Sequence, residues 1–201
     1  MCLIIFSYQT DPRFPLVVAA NRDELFARAT ASADLWTDTE TGSKILSGRD
    51  LQAGGTWLGV TANGRFAAVT NIRDPAQTIP KPRSRGDLTR QFLAGTDSAE
   101  EYCARLAQSY DQFAGYNLLV GDGSSLFYVN NAEGKVWSLE AGIYGLSNGL
   151  LNTSWPKVER IFINSWLLNS PPPSTPSSRK ESATNMNLIN HTPFHLSCLT
   201  M

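Results

Sequence analysis

The sequence predicts a layered α+β domain built from antiparallel strands and a few helices. Short segments rich in branched and aromatic residues, such as CLIIFSY and FPLVVAAN, are separated by turn residues, which is typical of antiparallel strands. Two segments in the middle of the chain instead carry apolar residues at helical spacing. Because the order is strands, then helices, then strands again, the elements fit an α+β architecture.

The predicted strands form three groups along the chain. CLIIFSY and FPLVVAAN come first, with a turn at Asp11 and Pro12 between them. TWLGVTANGRFAAVTN follows, and the Asn63-Gly64 pair between its two apolar runs is a strong hairpin signal. The third group, YNLLVGDGSSLFYVNN and KVWSLEAGIYGLSN, contains turn residues around Gly121 and Gly134.

SRGDLTRQFLAG and DSAEEYCARLAQSYDQF are the predicted helices. Ser98 is placed to cap the second helix, and the acidic Glu100 and Glu101 follow in its first turn. Cys103 falls on the apolar face, so we expect it to be a small core side chain. A further helix is expected to begin near Pro156, since proline suits the first helical turn.

The chain divides into a domain at residues 1–168 and a tail at residues 169–201. The tail contains NSPPPSTPSSRKESATN, whose Pro and Ser residues bury too little apolar surface to offset the entropy of ordering. We therefore expect the tail to be disordered. The hydrophobic content of 42% over 201 residues is sufficient for one core in the preceding domain.

Composition excludes several classes of partner. The net charge of -1 gives no basic surface for nucleic acid. No apolar stretch approaches the roughly 20 residues that cross a bilayer, so we expect no stable membrane insertion. The amino terminus lacks the features of a secretory signal, and three widely spaced cysteines form no disulfide framework. We expect a cytoplasmic protein without a metal site, because its Cys and His residues match no standard ligand spacing.

Cys2 is the first candidate site residue. Initiator methionine is commonly removed before a small residue, and removal of Met1 would leave a thiol and a free α-amine on one residue. An α-amine has a reference pKa of about 8, so a fraction of it is neutral at neutral pH and can take a proton. Such a residue can act as a nucleophile with its own base. The alternative is a small hydrophobic residue at the start of a strand.

Arg22 and Asp23 follow the second apolar strand, in VVAANRDELFAR. If residues 15–20 pair antiparallel with residues 2–7, the end of one strand lies beside the start of the other, and Cys2 meets Asp23. The functional interpretation is the mouth of a pocket. The alternative is a solvated turn or the start of a helix with Asp23 as its cap.

The segment GRDLQAGGTWLGV carries two adjacent glycines before Trp57. Glycines there allow a close approach of the backbone to another group, or simply a tight turn onto a core tryptophan. Asn71 and Asn148 come at strand ends, where an amide can donate to an oxyanion or serve as a turn residue.

The motifs MCLIIF, AANRDE, GRDLQAGGTWLGV, TNIRDP, SRGDL, YNLLVGD, YGLSN and TSWPK resemble those of the NRDE family, also called the transport and Golgi organisation protein 2 family. The resemblance runs from residue 1 to about residue 160, with the motifs in the family's order. The family is related to the N-terminal nucleophile hydrolases. The resemblance therefore implies a four-layer αββα sandwich of antiparallel sheets.

The resemblance also implies roles for site residues. Cys2 matches the N-terminal nucleophile, and Asp23 is similar to the aspartate that contacts its amine, with Arg22 close by. Asn71 and Asn148 resemble asparagines that orient the substrate and stabilise the oxyanion. The implied function is an amidohydrolase acting on linear C–N amide bonds of a small-molecule substrate, with no cofactor required for hydrolysis.

The resemblance leaves two further functions open. Family members continue through a Gly-Thr-Arg motif and final strands that have no counterpart after Arg160, which implies a C-terminally incomplete sandwich. Because the family is associated with haem handling and with lipid or acyl-coenzyme A metabolism, one alternative is a non-catalytic protein that binds and carries haem or an acyl-coenzyme A. The other is a small interaction domain, which would require no open space at the sulfur of Cys2.

Overall fold

The computed structural model describes residues 2–24, 27–72 and 80–153, together with the backbone of residues 194–198. The strands within these residues are β1 Leu3–Asp11, β2 Phe14–Asn21, β3 Thr30–Thr37, β4 Lys44–Asp50, β5 Leu58–Thr61, β6 Phe66–Asn71, β7 Tyr116–Gly121, β8 Leu126–Asn130, β9 Lys135–Ser138, β10 Gly142–Leu146 and β11 Phe194–Cys198. The helices are α1 Arg85–Ala94 and α2 Ala99–Leu106, followed by a short 3-10 helix at Tyr110–Gln112.

The strands form two sheets. The smaller sheet has the order β10-β1-β2-β11, and the larger has the order β3-β4-β5-β6-β7-β8-β9. Neighbouring strands pair antiparallel, except that β11 runs parallel to β2. Alternate residues of β1 are buried, as expected for a strand with one face on the core. Of the predicted tail, the structure describes only β11, and the rest lies outside the described residues.

Two hydrophobic clusters stack the elements into layers. One lies between the helices and the larger sheet and includes Leu88 and Phe92 of α1 and Tyr102 of α2. The other lies between the two sheets and joins Ile4 and Phe6 of β1 to residues of β5 to β8. The described residues thus form three layers, helices, larger sheet and smaller sheet, and contain no second helical layer. The predicted α+β class with mostly antiparallel sheets is confirmed.

Several local predictions are confirmed. β5 and β6 form the hairpin, with Gly64 at a φ of 85° in its turn. Ser98 caps α2 through a capping box with Glu101, in which each residue bonds the backbone N–H of the other. Cys103 is a core residue with 1% exposure. The helix expected near Pro156 lies outside the described residues.

The sequence did not predict β3 and β4. β3 is an edge strand of the larger sheet and is exposed along most of its length, so it lacks the apolar alternation on which strand prediction depends. β4 alternates only over its first half, before Gly48. These two strands matter because both contribute to the wall of the cavity described next.

Candidate functional site

Cys2 lies directly before β1, and the pairing of β1 with β2 places it beside Asp23. The two strands pair antiparallel, the arrangement considered from the sequence, and the register sets Leu3 opposite Asn21. The Sγ atom of Cys2 lies 3.8 Å from the main-chain oxygen of Asp23, to which it donates a weak hydrogen bond. The Ser147 hydroxyl donates to the main-chain oxygen of Cys2 at 2.8 Å. The position of Cys2 is therefore set by both neighbouring strands of the smaller sheet.

Cys2 lines a cavity of about 770 Å³. The wall is built from the ends of β1 and β2 in the smaller sheet, from β3 to β6 in the larger sheet, and from the start of α1. A volume of this size falls in the range of small-molecule sites, about 300–1,000 Å³. Although Cys2 is only 9% exposed, it thus has open space beside it. The condition set for the small interaction domain, a Cys2 with no open space, is not met.

Three other predicted site residues line the same cavity: Arg22, Asp23 and Asn71. Arg22 forms an ion pair with Glu24 at 3.1 Å, and both residues lie on the cavity wall. Asn71 ends β6, with its side chain in an exposed position. The structure therefore brings four of the five predicted site residues to one cavity, although they come from three separate parts of the chain.

Asn148 is the predicted site residue that does not line the cavity. Its Nδ2 donates to the main-chain oxygen of Asn71 at 2.8 Å, so Asn148 stabilises the position of the last residue of β6. Its Oδ1 is buried and has no hydrogen-bond partner among the described residues. The two asparagines therefore contact each other, but only Asn71 lies on the cavity wall, where it can contact a bound molecule.

Electrostatics at Cys2 are a balance between burial and nearby cations. Burial raises the pKa of the Cys2 thiol, and the positive charges of Arg22 and Arg85 oppose this rise while Glu24 adds to it. The net direction is upward, so the resting group at neutral pH is the thiol rather than the thiolate. A base must therefore remove the proton when the sulfur attacks.

Arg85 is a site residue that sequence reasoning missed. It is the first residue of α1 and lines the cavity with Ser84, whose side chain caps the helix. Burial lowers the pKa of Arg85, while the charges of Glu24 and Cys2 act in the opposite direction. Its Nη1 donates to the main-chain oxygen of Gly115 at 3.2 Å. The motif SRGDL marked this segment, but only the fold brings it to Cys2.

Gly55, two residues before Trp57, allows α1 to dock against the larger sheet. A Cβ on Gly55 would lie 2.5 Å from the carbonyl carbon of Gly86, so only glycine permits this contact. The N–H of Thr56 donates to the main-chain oxygen of Gly86 at 3.2 Å. The expected close backbone approach is confirmed, and its partner is the first turn of α1. This contact places Arg85 on the cavity wall. Trp57 is partly buried, packs against both clusters and lines the cavity.

A second charged pair borders the cavity at the loop after β4. Asp50 accepts hydrogen bonds from the backbone N–H groups of Gln52 and Ala53, which shape the loop. It also accepts from Nε of Arg28 at 3.0 Å. Burial alone would raise the pKa of Asp50, but these hydrogen bonds outweigh it and the pKa is lowered. Asp50 is therefore ionised and paired at neutral pH.

A buried polar network lies behind Cys2, between the two sheets. Thr70 of β6 donates from its hydroxyl to the main-chain oxygen of Ser147 at 2.7 Å, and Nδ2 of Asn117 in β7 donates to the Thr70 hydroxyl at 3.1 Å. The Oδ1 of Asn117 accepts from the Tyr128 hydroxyl at 2.6 Å. Since Ser147 also contacts Cys2, an unbroken chain of hydrogen bonds runs from the larger sheet to the candidate nucleophile.

Comparison with known proteins places the chain in a family. Residues 1–170 match the family described as Transport and Golgi organisation 2. The chain belongs to the Transport and Golgi organisation 2 family. It is 37% identical over 173 residues to the Transport and Golgi organization 2 homolog of Mus musculus and 36% identical over 173 residues to the homolog of Homo sapiens, with 79% of this chain covered in each case.

The chain spans 60% of the length of these two relatives. Among solved structures, it is similar to penicillin V acylase from Agrobacterium tumefaciens, with 14% sequence identity and a TM-score of 0.42. That comparison covers 82% of this chain and 56% of the acylase chain. Among the described residues of this family member, no helix is long and apolar enough to cross a membrane.

Proposed function

We propose that this protein is an N-terminal cysteine amidohydrolase that cleaves a linear C–N amide bond. The observation that carries the proposal is the position of Cys2 at the wall of the 770 Å³ cavity, with Arg22, Asp23 and Asn71 on the same wall. A nucleophile needs open space for its substrate and polar groups for the charges that develop during attack. Membership of the Transport and Golgi organisation 2 family is consistent with this function and does not by itself establish it.

The reaction requires removal of Met1, which makes the α-amine of Cys2 the base. The amine takes the thiol proton as Sγ bonds to the carbonyl carbon of the amide, and the electron pair of the carbonyl bond moves to oxygen. The ammonium group then protonates the departing nitrogen as the C–N bond breaks, which leaves a thioester on Cys2. A water molecule, deprotonated by the same amine, hydrolyses the thioester, and the regenerated thiol takes back the proton.

The raised pKa of Cys2 is compatible with this mechanism. Burial keeps the proton on sulfur until a base is in reach, and a neutral α-amine on the same residue meets that need. Arg22 and Arg85 act in the opposite direction and would stabilise the thiolate as it forms. In the proposed mechanism Asp23 holds the amine, and the Asn71 side chain stabilises the oxyanion. Asn148 is then a positioning residue, which acts through the backbone of Asn71.

The proposal is tested by intact mass and by alkylation with iodoacetamide, followed by peptide mapping. We expect loss of Met1 and faster labelling of Cys2 than of Cys103, because burial raises the pKa of Cys103 to about 12. We also expect a panel of N-acyl amides to yield turnover that Cys2→Ala abolishes. Cys103→Ala is the matched control and should retain turnover. A retained Met1, or turnover that survives in Cys2→Ala, would refute the mechanism.

A second candidate is non-catalytic binding of haem or an acyl-coenzyme A. It is favoured by one observation: the cavity contains a thiol and several basic side chains, which suit an apolar ligand with anionic groups. Cys2 would supply a thiolate ligand to haem iron, and the basic residues would bind the haem carboxylates. Titration of the protein with haem separates the two functions. A thiolate-ligated haem spectrum that Cys2→Ala removes, without any amide turnover, would favour carriage over hydrolysis.

A further inference from the structure

The cavity has a charge opposite to that of the whole chain. The chain carries a net charge of -1, but the described residues of the cavity wall include six basic and three acidic ones. Two of the acidic residues are already paired with cavity cations: Asp50 with Arg28, and Glu24 with Arg22. A third basic residue, Arg83, pairs with Asp87 of α1 at 2.8 Å. The cavity therefore has more positive charge than its own carboxylates neutralise.

Within the described part of the cavity wall, Arg49 is an arginine whose guanidinium forms no ion pair. It belongs to β4, and its Cζ lies 4.6 Å from the ring centroid of Trp36, a cation–π contact. Nε of Trp36 donates to the Ser47 hydroxyl at 2.9 Å, which fixes the ring beneath the guanidinium. Among the described residues no carboxylate forms an ion pair with Arg49, and its Nε is buried without a hydrogen-bond partner. Because Nε is closed to solvent, and hence to a ligand in the cavity, an acceptor on a ligand would bind the terminal N–H groups of this guanidinium.

Arg85 extends the same positive region toward Cys2. Its Nη1 donates to the main-chain oxygen of Gly115, and within the described part of the chain Arg85 has no ion pair. The positive charges of Arg85 and Arg22 lower the pKa of the Cys2 thiol, against the effect of burial. Arg49 lies on the larger sheet, at another part of the wall. The cavity thus spans from the candidate nucleophile in one sheet to a planar, fixed cation in the other.

We propose that the cavity selects amides that carry a carboxylate group, and that Arg49 binds this carboxylate while the amide carbonyl lies at Cys2. A guanidinium fixed on an aromatic ring presents paired N–H donors that match the two oxygens of a carboxylate. Apolar residues of the wall, Val18, Leu58 and Val69 among them, face the remainder of the substrate. This inference rests on the proposed function, because it names the substrate class of the same site.

The test measures binding separately from turnover. In a Cys2→Ala background, tryptophan fluorescence reports titration with N-octanoylglycine, with its neutral analogue N-octanoylglycinamide, and with octyl phosphate. We expect N-octanoylglycine to bind about tenfold more tightly than the neutral analogue, since a charge-assisted pair has that order of strength. Adding Arg49→Gln should remove this preference. Arg13→Gln is the matched control, since Arg13 lies outside the cavity and pairs with Asp11 on the surface.

Each outcome bears on one conclusion. Equal affinity for the charged and neutral amides, or a preference that survives Arg49→Gln, would overturn the inference. Tighter binding of octyl phosphate than of N-octanoylglycine would overturn the carboxylate assignment in favour of a phosphate. Arg49→Lys keeps the positive charge but loses the paired N–H donors of the guanidinium. It should keep part of the preference for the charged amide, which separates loss of recognition from loss of folding. A preserved binding preference without amide turnover in the Cys2 protein would overturn hydrolysis and leave the charge selection intact.

Discussion

Gly55→Ala should loosen the junction between α1 and the larger sheet. The added Cβ would lie 2.5 Å from the carbonyl carbon and 2.6 Å from the oxygen of Gly86, where carbon atoms normally approach to about 3.5–4.0 Å. Both obstructing atoms are backbone, so no side-chain rotation relieves the overlap and the first turn of α1 must move by about 1 Å. The movement also weakens the hydrogen bond from Thr56 to Gly86.

The expected loss in free energy of unfolding follows from these two effects. Overpacking of this kind costs about 1–3 kcal/mol. Weakening the hydrogen bond adds up to about 1 kcal/mol. For a domain of this size, a loss of about 3 kcal/mol lowers the melting temperature by roughly 6–12 °C.

Gly54→Ala is the matched control for this prediction. Gly54 has a φ of 74° and no atom within 4 Å of an added Cβ, so its substitution meets only the left-handed strain of about 1–2 kcal/mol. Urea denaturation with equal m-values gives the comparison. Gly55→Ala should also change the alkylation rate of Cys2, because Arg85 moves with α1, whereas Gly54→Ala should not. Equal stability losses and equal alkylation rates in the two variants would refute the reasoning.

Four other substitutions test hydrogen bonds of buried and partly buried side chains. Ser147→Ala removes the donor to the Cys2 carbonyl, so unfolding free energy should fall by about 1–2 kcal/mol and Cys2 alkylation should change; an unchanged alkylation rate would contradict a positioning role. Asn117→Ala leaves its buried hydrogen-bond partners unsatisfied and should lower the free energy of unfolding by about 3 kcal/mol. Tyr128→Phe removes one hydroxyl and should lower it by about 1 kcal/mol, and urea denaturation of both variants measures the difference. Burial alone would raise the pKa of Asp122, but hydrogen bonds from backbone and serine groups hold it well below its usual range. Its contribution is therefore present above the unfolded pKa of about 4 and lost on further acidification, so the stability gap between wild type and Asp122→Ala should shrink below that pH.

Short sequence motifs predicted several elements of the fold. The Asn63-Gly64 turn fixed a hairpin because two residues alone decide its geometry, and Ser98 marked the start of α2 because its partner is three residues away. The edge strand β3 gave no such signal, since its pairing with β4 rather than its own pattern makes it a strand.

Strand pairing alone predicted the candidate site only at the β1–β2 pair, whereas Asn71 of β6 was expected from the family resemblance. Cys2 and Asp23 could be placed together because β1 and β2 are consecutive and antiparallel. Arg49 and Arg85 could not, because each comes to the cavity through the stacking of layers that no local pattern encodes. The two adjacent glycines predicted a close approach of the backbone to another group. The group is Gly86, and it could not be predicted because the docking of α1 brings it there.

The polar network between the sheets has a further consequence for the site. Burial of apolar surface has no preferred direction, so contacts between side chains such as Ile4 and Leu119 align the two sheets only through the fit of their shapes. The hydrogen bonds from Asn117 through Thr70 to Ser147 add directional contacts that favour the observed alignment of the layers. Because Cys2 belongs to one layer and Arg49 to the other, this alignment fixes the distance between them across the cavity. In the proposed function, that distance sets the length of substrate that can reach both residues. The network thus affects the spacing of two cavity residues although its own side chains lie outside the cavity wall.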